Sequence, residues 1–123
     1  MKMLKAFFDS KLHNQWLNYK LMDVFVRKGI HLHPVTKVQL KCFDMANVVV
    51  REHSRGRGIF SNWFAEAIEL AREYDFDAVY VENVINGQFV EHFRKSEMYV
   101  ECGNNMIPCF FILLKEPHDR TEA

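Results

Sequence analysis

An α/β fold, with helices packed on a mixed sheet, is what this sequence predicts, and three stretches carry the prediction. Between residues 48 and 82 come the run Val48-Val49-Val50, a glycine turn, an amphipathic segment and the run Ala78-Val79-Tyr80-Val81-Glu82. That order is a βαβ unit, which sets two parallel strands side by side with a right-handed crossover through the helix. Downstream, 99–102 and 107–115 flank Gly103-Asn104-Asn105, the pattern of an antiparallel hairpin. Upstream, Leu4, Phe7, Phe8, Leu12, Trp16, Leu17, Leu21, Val24 and Phe25 fall at helical spacing. Residues 1–30 are therefore expected to be helical, as one long helix or two broken near His13-Asn14, ending at Lys28-Gly29.

The remaining elements follow in order. His31-Leu32-His33-Pro34 reads as a connector. Residues 35–51 alternate or run apolar through Val38, Leu40 and Phe43. Seventeen extended residues would span more than about 50 Å, too long for one strand of a small domain, so a bulge or hairpin is expected near Phe43-Asp44. The stretch 59–74 is the clearest helix, because Phe60, Trp63, Phe64, Ala67, Ile68, Leu70 and Ala71 form one wide apolar stripe. Asp75-Phe76-Asp77 ends it. A further helix is expected from Asn86 or Gly87 to about Ser96, and the polar tail 116–123 is expected to fray.

Bulk properties narrow the class. A chain of 123 residues suits a single domain, 1–123, and 49% hydrophobic with 14% aromatic residues excludes disorder. Sixteen basic residues balance sixteen acidic ones, which gives no general attraction to nucleic acid or an anionic membrane. Cys42, Cys102 and Cys109 are odd in number and form no CxxC pair, so the expectation is reduced thiols rather than a disulfide framework or structural zinc. No apolar run is long enough to cross a bilayer, and the start leads into an amphipathic pattern rather than a signal core. The expected location is cytoplasmic.

The strongest constellation is a strand, then Ser54-Arg55-Gly56-Arg57-Gly58, then a helix. Glycines let backbone N–H groups turn inward, and the first helical turn adds unsatisfied donors at the positive end of a dipole. With Arg55 and Arg57 supplying charge, this makes a phosphate cradle; the plainer reading is a solvated loop that starts a helix. The spacing fits neither a P-loop nor a dinucleotide fingerprint.

At these residues the chain resembles the GNAT acetyltransferase superfamily, whose signature is a Val-rich strand, a turn of the form Gln/Arg-x-x-Gly-x-Gly/Ala, and a helix. Arg55-Gly56-Arg57-Gly58-Ile59-Phe60 matches the first two fixed positions and places Phe60 at the third. The resemblance runs on through 78–82, Asn86, and Phe93 to Tyr99, which is similar to the family's F-Y-x-K-x-G-F segment, and covers 42–115 as a cofactor-binding core. It implies a GNAT-like fold with N-terminal helices, a central βαβ unit and a C-terminal hairpin. It further implies an acyl-CoA-dependent N-acetyltransferase that moves acetyl from acetyl-CoA to an amine, either a small molecule or a protein lysine or N-terminus, by direct attack.

The resemblance also implies roles. Gly56, Arg57, Gly58, Phe60 and Ser61 would bind the pyrophosphate through their backbones, beside Arg55. Val48, Val49 and Val50 would pair with the pantetheine arm, and Asn86 and Phe93 would border the thiol. Several members carry a carboxylate eleven residues before the first turn position, which here is Asp44, the first choice for general base; Glu82 is the second. The alternative for Asp44 is a hairpin or bulge residue capping local backbone. Where members place a tyrosine acid, this chain has Phe93 or Arg94, with His92 the nearby substitute or else an ordinary helix histidine. Met98 replaces a usual glycine, and only 54 residues precede Arg55, so the family's N-terminal strands are expected to be shortened or missing.

These departures support an alternative: a reduced GNAT-fold protein that binds CoA or a partner protein, similar to small domains of bacterial viruses. A missing strand would leave a sheet edge, making a homodimer a further expectation. Weaker signals add little. His31-x-His33 lacks a third ligand at known spacing. Cys102 and Cys109 read as small core residues. Arg51, His53, Arg55 and Arg57 form a basic cluster with no RNA-binding aromatic motif, a minor alternative.

Overall fold

Of the expected N-terminal helical stretch, only α1, Lys2–Asp9, is a helix. It buries Leu4, Phe7 and Phe8 and ends where the Ser10 hydroxyl donates to Phe7 O at 2.8 Å. The computed structural model describes residues 2–50, 58–82, 99–103 and 108–115. Residues 14–32 are an antiparallel hairpin, β1 (Asn14–Asn18) and β2 (Met22–Leu32), where the spacing predicted helix. The reason is visible in burial: Met22, Val24 and Val26 are buried while Asp23, Phe25 and Arg27 between them are not, a period of two. A helix would have put Val24 on the face opposite Met22 and Val26. Trp16 on β1 meets Phe25 on β2, ring centroids 5.3 Å apart, as a cross-strand aromatic pair. Where the N-terminal strands were expected to be shortened or missing, a five-residue β1 and the longer β2 precede the long strand.

That long strand is β3, Gln39–Val50, and it pairs antiparallel with β2 along its length. The chain reverses at residues 33–38, with His33 Nδ1 accepting from the N–H groups of Val35 and Thr36. Of the two alternatives expected near Phe43-Asp44, the hairpin reversal comes earlier and the bulge is found two residues on. The register slips between Phe25 and Val26, whose partners are Asn47 and Met45, leaving Ala46 as a bulge.

Helix α2, Ile59–Glu73, then crosses to β4, Ala78–Val81, which lies parallel to β3 as the βαβ reading predicts. Its end is a Schellman-type stop: Asp75 adopts φ 64, and Phe76 N donates to Ala71 O at 2.9 Å. Strands β5 (Tyr99–Gly103) and β6 (Pro108–Leu113) form the expected antiparallel hairpin, and β6 docks on β4. The six described strands run in the order β1-β2-β3-β4-β6-β5. The helix expected at 86–96 and the tail 116–123 lie outside the described residues.

Both helices pack on one face. Phe7 and Phe8 of α1 and Phe60, Trp63 and Phe64 of α2 close over Phe43, Met45, Val79 and Phe110. Strand alternation sends Leu40, Cys42 and Asp44 of β3 to the other face, where they meet Ala78, Tyr80 and Phe111.

Candidate active site

Asp44 sits on the face away from the helices, 2% exposed, the one charged side chain buried among the described residues. A carboxylate in that position needs partners. Asp44 Oδ2 accepts from Arg27 Nε at 3.2 Å and lies 2.8 Å from His31 Nε2, both delivered by β2. Arg27 Nη2 reaches on to Glu82 Oε2 at 2.5 Å, so Arg27 bridges the two carboxylates chosen from sequence. Asp44 Oδ1 is buried with no hydrogen-bond partner among the described residues. Burial pushes the Asp44 carboxyl above its ordinary 3.8, with His31 and Arg27 pulling the other way. Burial also opposes the charge on Arg27, but Glu82 and Asp44 outweigh it and hold the guanidinium above its ordinary value.

The backbone beside Asp44 changes character. The parallel ladder runs from Cys42 opposite Ala78 to Met45 opposite Val81, and Glu82 N donates to Met45 O at 3.1 Å. Past the bulge, β3 continues through Val48, Val49 and Val50 with β2 on one side and β4 already ended. Asp44 and Glu82 therefore lie at the last described rungs of the parallel ladder. At the far end of the crossover, Gly58 caps α2 in the left-handed region, φ 72, a conformation that glycine takes at no steric cost. A Cβ built on Gly58 would meet no described atom within 4 Å. Phe60, the residue at odds with the family turn, is buried and stacks on Phe64 at 5.6 Å. Its side chain is directed into the core.

The structure thus brings Asp44 and Glu82 together, places Val48, Val49 and Val50 beyond the last rung, and puts Gly58, Phe60 and Ser61 at the start of α2. Arg55, Gly56, Arg57, Asn86, His92 and Phe93 lie outside the described residues. Three residues were not anticipated: Arg27, Gly29 and His31. They were hidden by reading 14–30 as helix and 31–34 as a connector. The usable signal was the alternation Met22, Val24, Val26 with a glycine inside the pattern, which marks a strand approached closely by another group. His31 and His33 of the H-x-H motif serve separate ends, one at Asp44 and one in the hairpin turn.

Removing Arg27 tests the network. A buried charge stripped of its partner costs about 3–5 kcal/mol when the pair is fully buried. Arg27 is 33% exposed, so Arg27→Met should cost about 2 kcal/mol at neutral pH. The deficit, read from thermal melts against wild type, should shrink as pH falls and Asp44 protonates. A deficit independent of pH would mean that lost packing alone is being measured.

No protein-family model matches the chain, and no curated protein matches it. Solved structures do. A tyrosine-to-phenylalanine mutant of the AtaT toxin, bound to acetyl-CoA and the C-terminus of the antitoxin AtaR, superposes with TM-score 0.57 at 10% identity, covering 76% of this chain. The KacTA–DNA complex gives 0.57 at 8% identity over 87% of this chain. Nourseothricin acetyltransferase gives 0.49 at 15% identity over 78%. The chain spans 59% of the AtaT chain and 69% of the KacTA one. Its fold is GNAT-like, as the sequence predicts.

Proposed function

We propose that this protein is an acyl-CoA-dependent N-acetyltransferase that moves acetyl from acetyl-CoA to an amine by direct attack. The observation that carries the reading is Asp44: a buried carboxylate whose Oδ1 has no hydrogen-bond partner among the described residues, at the last described rungs of the β3–β4 ladder. In this reading an extended pantetheine arm lies along the backbone edge of β3 from Val48 onward. The N-terminus of α2, capped by Gly58, offers backbone donors to the pyrophosphate. The bound complex of AtaT shows acetyl-CoA on a like fold.

In the reaction, the amine nitrogen attacks the thioester carbonyl carbon and forms the new C–N bond. Asp44 Oδ1 takes the amine proton. The developing oxyanion is met by a backbone N–H of Val48 or Val49. Collapse breaks the C–S bond and the CoA thiolate leaves, taking its proton from solvent. Glu82, held by Arg27, stands beside this base as the second carboxylate. The acceptor is an amine of a small molecule or of a protein.

Calorimetric titration with acetyl-CoA tests the reading. Wild type should bind at micromolar levels, and Gly58→Glu should weaken binding tenfold or more by setting a carboxylate where the phosphates are held. Gly58→Asn, which tolerates a positive φ, controls for backbone strain of about 1–2 kcal/mol. Absence of binding by folded wild type would end the enzyme reading. The second reading, a module that holds CoA or a protein without turnover, is favoured by the exposed apolar tip formed by Ile30, Leu32, Val35 and Val38. Binding with no acetyl transfer to polyamine, aminoglycoside or lysine-peptide acceptors would select it.

A further inference from the structure

We infer that His31 is the positioning residue of the base: its Nε2–H holds Asp44 Oδ2 over Gly29 and leaves Oδ1 as the oxygen that takes the amine proton. The inference rests on the acetyl-transfer reading above and adds to it a residue from a different strand. Three observations converge on it.

The first is the division of labour between the two carboxylate oxygens. Both partners of Asp44 among the described residues, His31 Nε2 and Arg27 Nε, fall on Oδ2, while Oδ1 is buried with no partner among them. A carboxylate free to rotate would spread its bonds over both oxygens. Two donors on one oxygen fix the plane of the group and aim the other oxygen.

The second is Gly29. A glycine inside a strand costs roughly 0.5–1 kcal/mol relative to alanine. Here a Cβ at position 29 would stand 3.3 Å from Asp44 Oδ2 and 3.7 Å from His31 Nε2. The missing side chain is the space through which carboxylate and imidazole meet across the β2–β3 ladder.

The third is that the imidazole is itself held. Its ring lies 4.3 Å from Tyr80 and 6.0 Å from Phe111, centroid to centroid, on β4 and β6. With 29% of its side chain exposed, His31 keeps contact with solvent while its other end reaches the buried carboxylate. The charged or titratable groups facing the pair are Arg27 from β2, and Tyr80 and Glu82 from β4.

Without the His31 donor, burial acts on Asp44 with less opposition, and the base stays protonated over more of the pH range. The test compares His31→Phe, which keeps a ring against Tyr80 and Phe111, with His31→Gln, which keeps a donor, and Gly29→Ala, which alters neither group. Two readouts are taken on full-length protein: the pH profile of kcat/KM for acetyl transfer, and titration of the Asp44 carboxyl carbon by NMR. For His31→Phe, kcat/KM on the acid limb should fall about tenfold while the alkaline plateau falls far less, because the acid limb moves to higher pH. Gly29→Ala should move the limb the same way by a smaller amount, and His31→Gln should lie nearest wild type.

An acid limb and an Asp44 titration that stay in place in both His31→Phe and Gly29→Ala would overturn the inference. If wild type proves to have no acetyltransferase activity, the functional reading falls on its own. The carbon titration then decides whether His31 governs Asp44.

Discussion

Asp44→Asn is expected to lower kcat/KM for acetyl transfer about 10²- to 10⁴-fold, the contribution of a positioned general base, while acetyl-CoA affinity stays within about twofold of wild type, since a loss confined to the chemical step leaves ground-state binding intact. Asparagine matches the carboxylate in size and still offers Arg27 and His31 an acceptor, so the network keeps its shape. The same variant should not lose stability at neutral pH. Burial raises the folded-state pKa of Asp44 above 3.8, so the native state binds this proton more tightly than the unfolded chain. That contribution is fully present below the unfolded value and is lost as pH rises through the folded one. Wild type therefore carries a penalty at pH 7 that the neutral asparagine lacks. A variant that melts at or above the wild-type temperature and has lost activity is the pattern of a residue retained for chemistry. Unchanged kcat/KM across pH would remove Asp44 from the mechanism and pass the role to Glu82.

Phe43→Ala should be the most damaging change to the fold, costing about 3–5 kcal/mol. Phe43 is fully buried on the helix side of β3, one residue from Asp44 and pointing the opposite way. Its ring centroid lies 4.8 Å from Phe8, 6.2 Å from Phe7 and 6.5 Å from Trp63, so it touches α1 and α2 at once. Alanine would leave a void under both helices, and rings fixed on those two helices have little freedom to collapse into it. The midpoint of thermal unfolding should fall by about 10 °C or more. A loss under about 1.5 kcal/mol would show that α1 does not depend on this ring.

The legibility of the sequence tracks how local the deciding interactions are. Helix α2 could be read directly because Phe60, Trp63, Phe64, Ala67 and Ala71, its buried residues, already lie on one stripe. The crossover followed, since a glycine turn and a helix between two apolar runs permit few arrangements, and β3 and β4 are indeed parallel. Residues 14–32 were misread because Leu17, Leu21, Val24 and Phe25 satisfy helical spacing, while the strand alternation is carried by Met22, Val24 and Val26. What separates the two is the ladder with β3, contributed by residues such as Val48 and Met45 far along the chain.

The site shows the same limit. Asp44 was reachable through its distance from the turn, and Glu82 through its place on the next strand. Nothing near either residue in sequence announces Arg27 or His31, because their contacts run between strands. Phe60 was a departure from the family turn when read as letters; its burial against Phe64 shows how the position accepts a large side chain.

The separations spanned by the charged network bear on how the site assembles during folding. Asp44 meets His31 across 13 residues and Arg27 across 17, whereas Arg27 meets Glu82 across 55. Going from the second separation to the third raises the entropy of loop closure by about 1 kcal/mol, and the longer contact also waits for the crossover helix. The β2–β3 hairpin can therefore neutralise its own carboxylate before β4 arrives, so that the chain does not have to desolvate an unpaired Asp44 while the rest of the sheet is still being recruited.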